Sequence, residues 1–411
     1  MEPVLGQSKL DALTGLRYCA AMTVVISHVV GNISQLRSGL LGNLSAIGMP
    51  LFFTLSGFLM CYNYYADFAE RRPGAWRRFY VARIARIYPV YLLALLLSFS
   101  FMGNFFHDLH DRPVQTLKCL GFCGTLTQSW VHWPVFADYM HPRTVTQAYL
   151  GVSWSVSTEV FFYATFPLVI PALRRVQKPA TILSCVAGVW LTIAAFDLWY
   201  CRGIDRVFDV VTNHSKERWL LYLSPYLRIG EFWIGCLVGR LFQVMSPRAP
   251  SASERRWALG AMWCSAPLML AFPGLVGRHW LADRLHFNVG LAPLCGLVVF
   301  CLSRYGSRAQ ALLGSRPLVL LGESSYCLFL LHPLAQSFYH SRARGEDELN
   351  QWYIQGFNHF AMFVVLHLLA LGIYQFFELP LRSKIRNWLN PVPALQPAPA
   401  PVALPVVRRA A

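Results

Sequence analysis

Hydrophobic residues in this chain fall in blocks of about twenty, separated by short polar or basic stretches. Twenty residues at ~1.5 Å each make a helix of ~30 Å, the thickness of bilayer hydrocarbon. Blocks of this kind occupy 16–35, 45–65, 87–106, 153–173, 180–199, 222–245, 257–275, 286–303, 317–338 and 356–378. The pattern predicts an all-α polytopic membrane protein with about ten transmembrane helices. The short alternating strands of a membrane barrel are absent from it. One further apolar stretch, 114–130, is ambiguous, and charge decides how to treat it.

If 114–130 does not cross, the loops at 66–86, 174–179, 246–256 and 304–316 lie on one side together with both chain ends. These loops carry Arg71, Arg72, Arg77, Arg78, Arg83 and Arg86, then Arg174 and Arg175, Arg255 and Arg256, and Arg304 and Arg308. The opposite loops hold most of the acids, among them Asp108, Asp205 and Asp283. Because Lys and Arg accumulate in cytoplasmic loops, both termini are expected in the cytoplasm. The 114–130 stretch then becomes a re-entrant or interfacial helix covered by protein.

Composition agrees with this class. Hydrophobic residues make up 55% of the 411 and charged residues 14%, against about 25% charged in soluble domains. The net charge of +16 therefore orients the protein and meets anionic lipid; it is no sign of nucleic-acid binding. The eleven cysteines lie mostly inside the blocks, as small apolar packing residues. Cys119 and Cys123 lack a second ligand pair, and His107 and His110 lack a third partner, so no metal site is expected. Gly57 suits close helix packing. The first block, which carries Arg17 and His28 and shows no small-x-small site, does not read as a cleavable leader. Residues 389–411, rich in Pro and Ala, read as a disordered tail after an integral-membrane domain at 8–388.

Ionisable groups inside such blocks are costly unless partnered, and so mark candidate function. Glu159 follows Trp154, Ser155, Ser157 and Thr158 near the start of one block, and His28 lies eleven residues after Arg17 in another. Depth counting puts His28 ~16 Å from Arg17 and Glu159 ~9 Å below the outer face, at similar levels. Ser155 and Glu159, four apart, share a helix face. His332 reaches a comparable level from the inside.

Four more segments carry a likeness: Leu10-Asp11-Ala12-Leu13-Thr14-Gly15-Leu16-Arg17 running on to His28; Leu51-Phe52-Phe53-Thr54-Leu55-Ser56-Gly57-Phe58; Arg83-Ile84-Ala85-Arg86-Ile87-Tyr88-Pro89; and Leu321-Gly322-Glu323-Ser324-Ser325-Tyr326 through His332. Together with Trp-Ser-x-Ser-x-Glu, and in this order over about residues 8–388, they resemble the acyltransferase 3 family of membrane acyltransferases. Pro225 to Phe232 and Phe377-Glu378-Leu379-Pro380 also look like family segments. One departure is Thr158, where many members carry Val or Glu. The resemblance implies ten spans and transfer of an acyl group, usually acetyl, from cytoplasmic acyl-CoA to a hydroxyl. The acceptor it implies is a surface polysaccharide, such as an exopolysaccharide or lipopolysaccharide, or a lipid-linked sugar; some members modify small secondary metabolites. It implies a multi-pass protein of a bacterial inner (cytoplasmic) membrane, with acyl-CoA as co-substrate and no tightly bound cofactor.

On that resemblance each residue has a functional reading beside a structural one. His28 is read as the general base, or else as a packed histidine. Glu159 orients His28, or forms a salt bridge to Arg228 or Arg17. Arg83 and Arg86 bind CoA phosphates, or are ordinary positive-inside charge. Arg17 pairs with CoA, or snorkels to the interface. Ser155 and Ser157 touch substrate or cap the helix start, Trp154 touches substrate or anchors at the interface, and His332 lines the pocket or ends a helix. The main rival function is a proton-coupled transporter, because buried His, Glu and Arg also form relays. A non-catalytic subunit of a glycan-export complex is a third reading.

Overall fold

A computed structural model describes residues 7–31, 41–101, 105–136, 143–204, 215–342 and 351–389. Most of the tail expected at 389–411 lies outside these residues. The longer helices are α1 (Gln7–Gly31), α2 (Ser45–Ala69), α3 (Ala75–Phe101), α4 (Phe105–Asp111), α5 (Pro113–Thr125), α6 (Trp154–Arg175), α7 (Pro179–Tyr200), α8 (Pro225–Met245), α9 (Ala252–Leu275), α10 (Ala292–Arg304), α11 (Arg316–Arg342), α12 (Gln351–Ile373) and α13 (Leu379–Leu389).

Eight helices among the described residues are long and apolar enough to cross a membrane. They correspond to the expected blocks except 222–245 and 286–303. Both of those blocks are helical as well. In α8 the charged Arg228, Glu231 and Arg240 interrupt the apolar run, and Val289–Arg304 is simply shorter. The stretch at 114–130 forms only the 13-residue α5, ~20 Å long and too short to span. It ends at Leu126, whose φ of 55° leaves the helical region. The Tyr91 hydroxyl, on α3, donates to the Cys123 carbonyl at 2.7 Å and ties α5 to the bundle.

One boundary differs in a way that matters. The loop expected at 66–86 is mostly helix, because α2 runs to Ala69 and α3 begins at Ala75. Arginine is a good helix former, and its long stem lets the charge reach polar surroundings. Arg83 and Arg86 therefore sit inside α3, two turns and more from its start.

The core of the bundle is α2, which packs most extensively against α8 and also against α1, α6 and α10. The α2–α8 crossing brings backbones together. A Cβ added at Gly235 would stand 2.0 Å from the Thr54 carbonyl oxygen, and one at Gly57 would stand 2.0 Å from that of Phe232. Only glycine admits this approach, the small-residue packing expected of Gly57. A second crossing of the same kind joins α1 to α11, where Gly322 meets the Thr14 carbonyl.

The described residues between α5 and α6, 126–136 and 143–153, fold over the start of α6. They include a short antiparallel pair, Pro134–Phe136 with Arg143–Thr144. Gln128 donates to the Ser153 hydroxyl at 3.0 Å, and the Ser129 amide and hydroxyl both donate to Ser157 Oγ. Ser153 is consequently 1% exposed. The N-terminal end of α6 is buried in protein, so a count that starts at a membrane face does not fix the level of the residues on it.

Candidate functional site

Three cavities run in series between α1, α2, α6 and α11. The first is polar and is lined by Arg17, Ser56, Arg83, Arg86, Glu159 and Tyr163. A narrow apolar neck follows, about 20 Å³ in volume, walled by Ala20, Ala21, Gly48, Ser155, Glu159 and Phe329 among others. Beyond it lies a cavity of about 520 Å³ that contains His28, Ser27, Trp154, Tyr222 and Pro333. Glu159 and Tyr326 line both the polar cavity and the neck, while Val24, Met49 and Phe329 line both the neck and the histidine cavity. Helical periodicity accounts for the α1 side of this route. Arg17, Ala20 and Ala21, Val24, and Ser27 and His28 recur at three- and four-residue intervals, so one stripe of α1 faces all three cavities in turn. The small side chains in its middle keep the neck thin.

In the large cavity His28 Nδ1 lies 2.8 Å from His332 Nε2. His332 is fully buried, and its Nδ1 lies 2.6 Å from the Phe329 carbonyl. The reason is local. Residue 333 is proline, which has no N–H to give the carbonyl four residues back, so the Phe329 oxygen is left to accept from elsewhere. A carbonyl only accepts, so His332 Nδ1 carries the proton and its Nε2 is the acceptor. His28 Nδ1–H donates to that nitrogen, and the lone pair of His28 is thereby placed on Nε2. His28 itself is exposed to the cavity.

Glu159 is placed elsewhere. Its Oε1 accepts from Ser56 Oγ at 3.0 Å and from Tyr163 OH at 2.6 Å, and it forms no hydrogen bond with His28. The expected His28–Glu159 pairing is replaced by His28–His332. The buried start of α6 explains this, since Glu159 is carried down to the neck and the polar cavity. Nor does Arg228 serve as its salt-bridge partner. Arg228 pairs with Glu231 on α8 at 2.7 Å, both side chains fully buried, and stacks on Tyr222, Trp154 and Phe53.

The arginines converge on the polar cavity. Arg17 donates twice to the Gly322 carbonyl, at 3.0 and 2.7 Å. Arg83 donates to Tyr64 OH at 2.9 Å and lies over the Tyr64 and Tyr163 rings. Its Nε is buried without a partner. Arg86 forms an ion pair with the buried Glu378, which also accepts from Cys327 Sγ at 3.3 Å. Among the lining residues three guanidinium groups face one carboxylate, Glu159.

Of the remaining expected residues, Ser155 lines the neck while its hydroxyl donates back to the Val152 carbonyl at 3.0 Å. Ser157 is fully buried and held by Ser129; it lines none of these three cavities. Trp154 is 8% exposed and forms part of the large cavity's wall, not an interfacial anchor. Glu378, Tyr163 and Arg218 were not singled out as site residues. Glu378 had a signal, the Phe-Glu-Leu-Pro segment, but its partner lies 292 positions away. The dipeptide His332-Pro333 was the local signal for the histidine pair. No group of three or more His, Cys, Asp or Glu among the described residues could hold a metal ion.

Residues 10–390 match the model of a family described as "Acyltransferase domain". The chain is 23% identical to O-acetyltransferase OatA of Staphylococcus aureus over 392 residues, which is 93% of this chain and 59% of that protein. It is 24% identical to acyltransferase MdmB of Streptomyces mycarofaciens over 360 residues, 84% of each. The nose resistant to fluoxetine protein 6 of Caenorhabditis elegans is 21% identical over 331 residues, 71% of this chain and 39% of that one. The chain thus spans about three-fifths of the length of OatA. No solved structure matches it.

Proposed function

This chain belongs to the acyltransferase 3 family and is a membrane acyltransferase; we propose that it moves an acetyl group from cytoplasmic acetyl-CoA to a hydroxyl of a cell-surface or lipid-linked glycan. The observation that carries this reading is the serial arrangement of an arginine-lined cavity, a thin apolar neck and a larger cavity holding a base. With both termini cytoplasmic in a bacterial inner membrane, the arginine cavity lies in the cytoplasmic half. Arg83, Arg86 and Arg17 supply guanidinium groups for the phosphates of CoA, and the buried unpartnered Nε of Arg83 supports this role. The neck suits a flexible pantetheine arm and excludes a sugar ring. The histidine cavity, at about 520 Å³, falls in the size range of small-molecule sites, ~300–1,000 Å³.

The chemistry follows from the tautomer. His28 Nε2 takes the proton of the acceptor hydroxyl as its oxygen attacks the thioester carbonyl. The tetrahedral intermediate collapses, the C–S bond breaks, and the CoA sulfur leaves with the proton held by His28. His332 keeps the lone pair on His28 Nε2 and accepts from the imidazolium, the part that a carboxylate plays in hydrolase triads. Glu159 works on the donor side, fixing Tyr163 beneath Arg83.

Transfer of label from acetyl-CoA, in vesicles carrying this chain, to a glycan fraction is the test. Label appearing there, with CoA released in equal amount, is expected. If CoA is not consumed while a proton gradient drives solute uptake, the transporter reading replaces it. A more specific expectation concerns Arg83. Arg83→Gln raises the KM for acetyl-CoA about ten-fold with a smaller effect on kcat, because the contact is made equally in ground and transition states. An unchanged KM removes Arg83 from the donor site.

A further inference from the structure

The histidine cavity contains a cation that the transfer chemistry does not use. Arg218, in the turn Lys216–Arg218 before α8, lines it together with Gln147 and Gln336. Each of the three keeps a buried polar atom with no hydrogen-bond partner: Arg218 Nε, Gln147 Oε1 and Gln336 Nε2. The Arg218 guanidinium lies over the Tyr222 ring, 5.1 Å from its centroid, and forms no ion pair among the described residues. Burial, together with nearby Arg228, pulls its pKa below the ordinary guanidinium value. Arg228 stacks on the same Tyr222 ring but is neutralised by Glu231. No Asp or Glu among the described residues lines this cavity, so none of them compensates the charge of Arg218. A desolvated, unpaired charge weighs against folding, and a fold retains one where a ligand completes it.

We propose that the acceptor carries an anionic group, a carboxylate or a phosphate, on the same molecule as the reacting hydroxyl, and that Arg218 holds it, with Gln147 and Gln336 hydrogen-bonding the neighbouring polar groups. This rests on the acyl-transfer reading, since it names the substrate class of that site. An arginine fork against such an anion fixes the acceptor's orientation as well as its charge. The large cavity then selects acidic sugars or glycosyl phosphates over neutral ones.

The test is direct binding to the detergent-solubilised full chain, wild type and Arg218→Gln, with methyl glucuronide, glucose 1-phosphate and methyl glucoside as probes. Wild type is expected to bind at least one anionic probe about ten-fold or more tightly than methyl glucoside, the scale of one charge-assisted hydrogen bond. Which anionic probe wins tells a carboxylate from a glycosyl phosphate. Arg218→Gln is expected to lose the preference, and Arg218→Lys to keep part of it. Should the glutamine variant fail to fold, added salt must weaken the anionic probe and spare the neutral one in wild type. Equal affinity for all three probes, no binding of either anion, or a preference surviving in Arg218→Gln overturns the proposal. Binding is read without turnover, so such a failure leaves the transfer reading intact, and a lack of acetyl transfer would leave the charge preference intact.

Discussion

Replacing His28 with alanine is expected to lower kcat for acetyl transfer by about 10²–10⁴-fold, the usual contribution of a positioned general base. The KM for acetyl-CoA should change little, because the proposed site for the donor's charged head is the arginine cavity, beyond the neck. His332→Ala is expected to lower kcat less, by about 10–100-fold, the range for a partner that orients a ring nitrogen. Its effect is indirect: without His332 Nε2 to accept, His28 no longer keeps its proton on Nδ1. The pair behaves as a unit, so the double variant should be no worse than His28→Ala alone. Steady-state kinetics on the three variants, each matched to wild type in thermal midpoint, read this out. A His28→Ala enzyme with wild-type kcat ends the role of His28 as base. Additive losses in the double variant end the coupling inferred from the 2.8 Å contact.

The second large effect is on stability. Arg228→Met is expected to destabilise the protein by about 3–5 kcal/mol, because it strands the Glu231 carboxylate in a fully buried position. Arg228 also donates to the Tyr222 carbonyl at 2.8 Å, so its loss frees the wall of the histidine cavity as well. The double variant Arg228→Met, Glu231→Leu removes both charges and should recover much of the loss. Thermal midpoints in detergent compare the two. A single variant as stable as the double would mean that the pair is not the buried charge couple described here. The ring contacts of Arg228 with Tyr222, Trp154 and Phe53 would survive neither variant, which makes the difference between them a measure of charge alone.

Much of this protein was legible in its sequence, for one physical reason: in a bilayer the helix is a local object. Every backbone group of a span must find its partner within the span, so a run of about twenty apolar residues fixes both the element and its length. The stripe from Arg17 through Ala20 and Val24 to His28 is local too, set by the helical period. So is the tautomer of His332, which depends on the missing N–H of the next residue, Pro333. The chain itself thus determined the spans, the polar stripe of α1 and the presence of a histidine within it.

Only the tertiary structure decided which of these groups meet. Hydropathy says that a face is buried but not against what. His28 and His332 are 304 positions apart, and Arg86 and Glu378 are 292 apart. Those pairings depend on how α1, α3, α11 and the turn after α12 are arranged, and backbone-to-backbone contacts such as Gly322 against Thr14 fix the α1–α11 part of that arrangement. Counting residues from a membrane face placed Glu159 level with His28, but the count assumed that α6 starts at that face. Residues 126–136 and 143–153 cover its start instead, carry Glu159 into the arginine cavity and leave His28 to a second histidine. A helix's pitch is written in its own residues, whereas its depth is set by the segments that pack on its end.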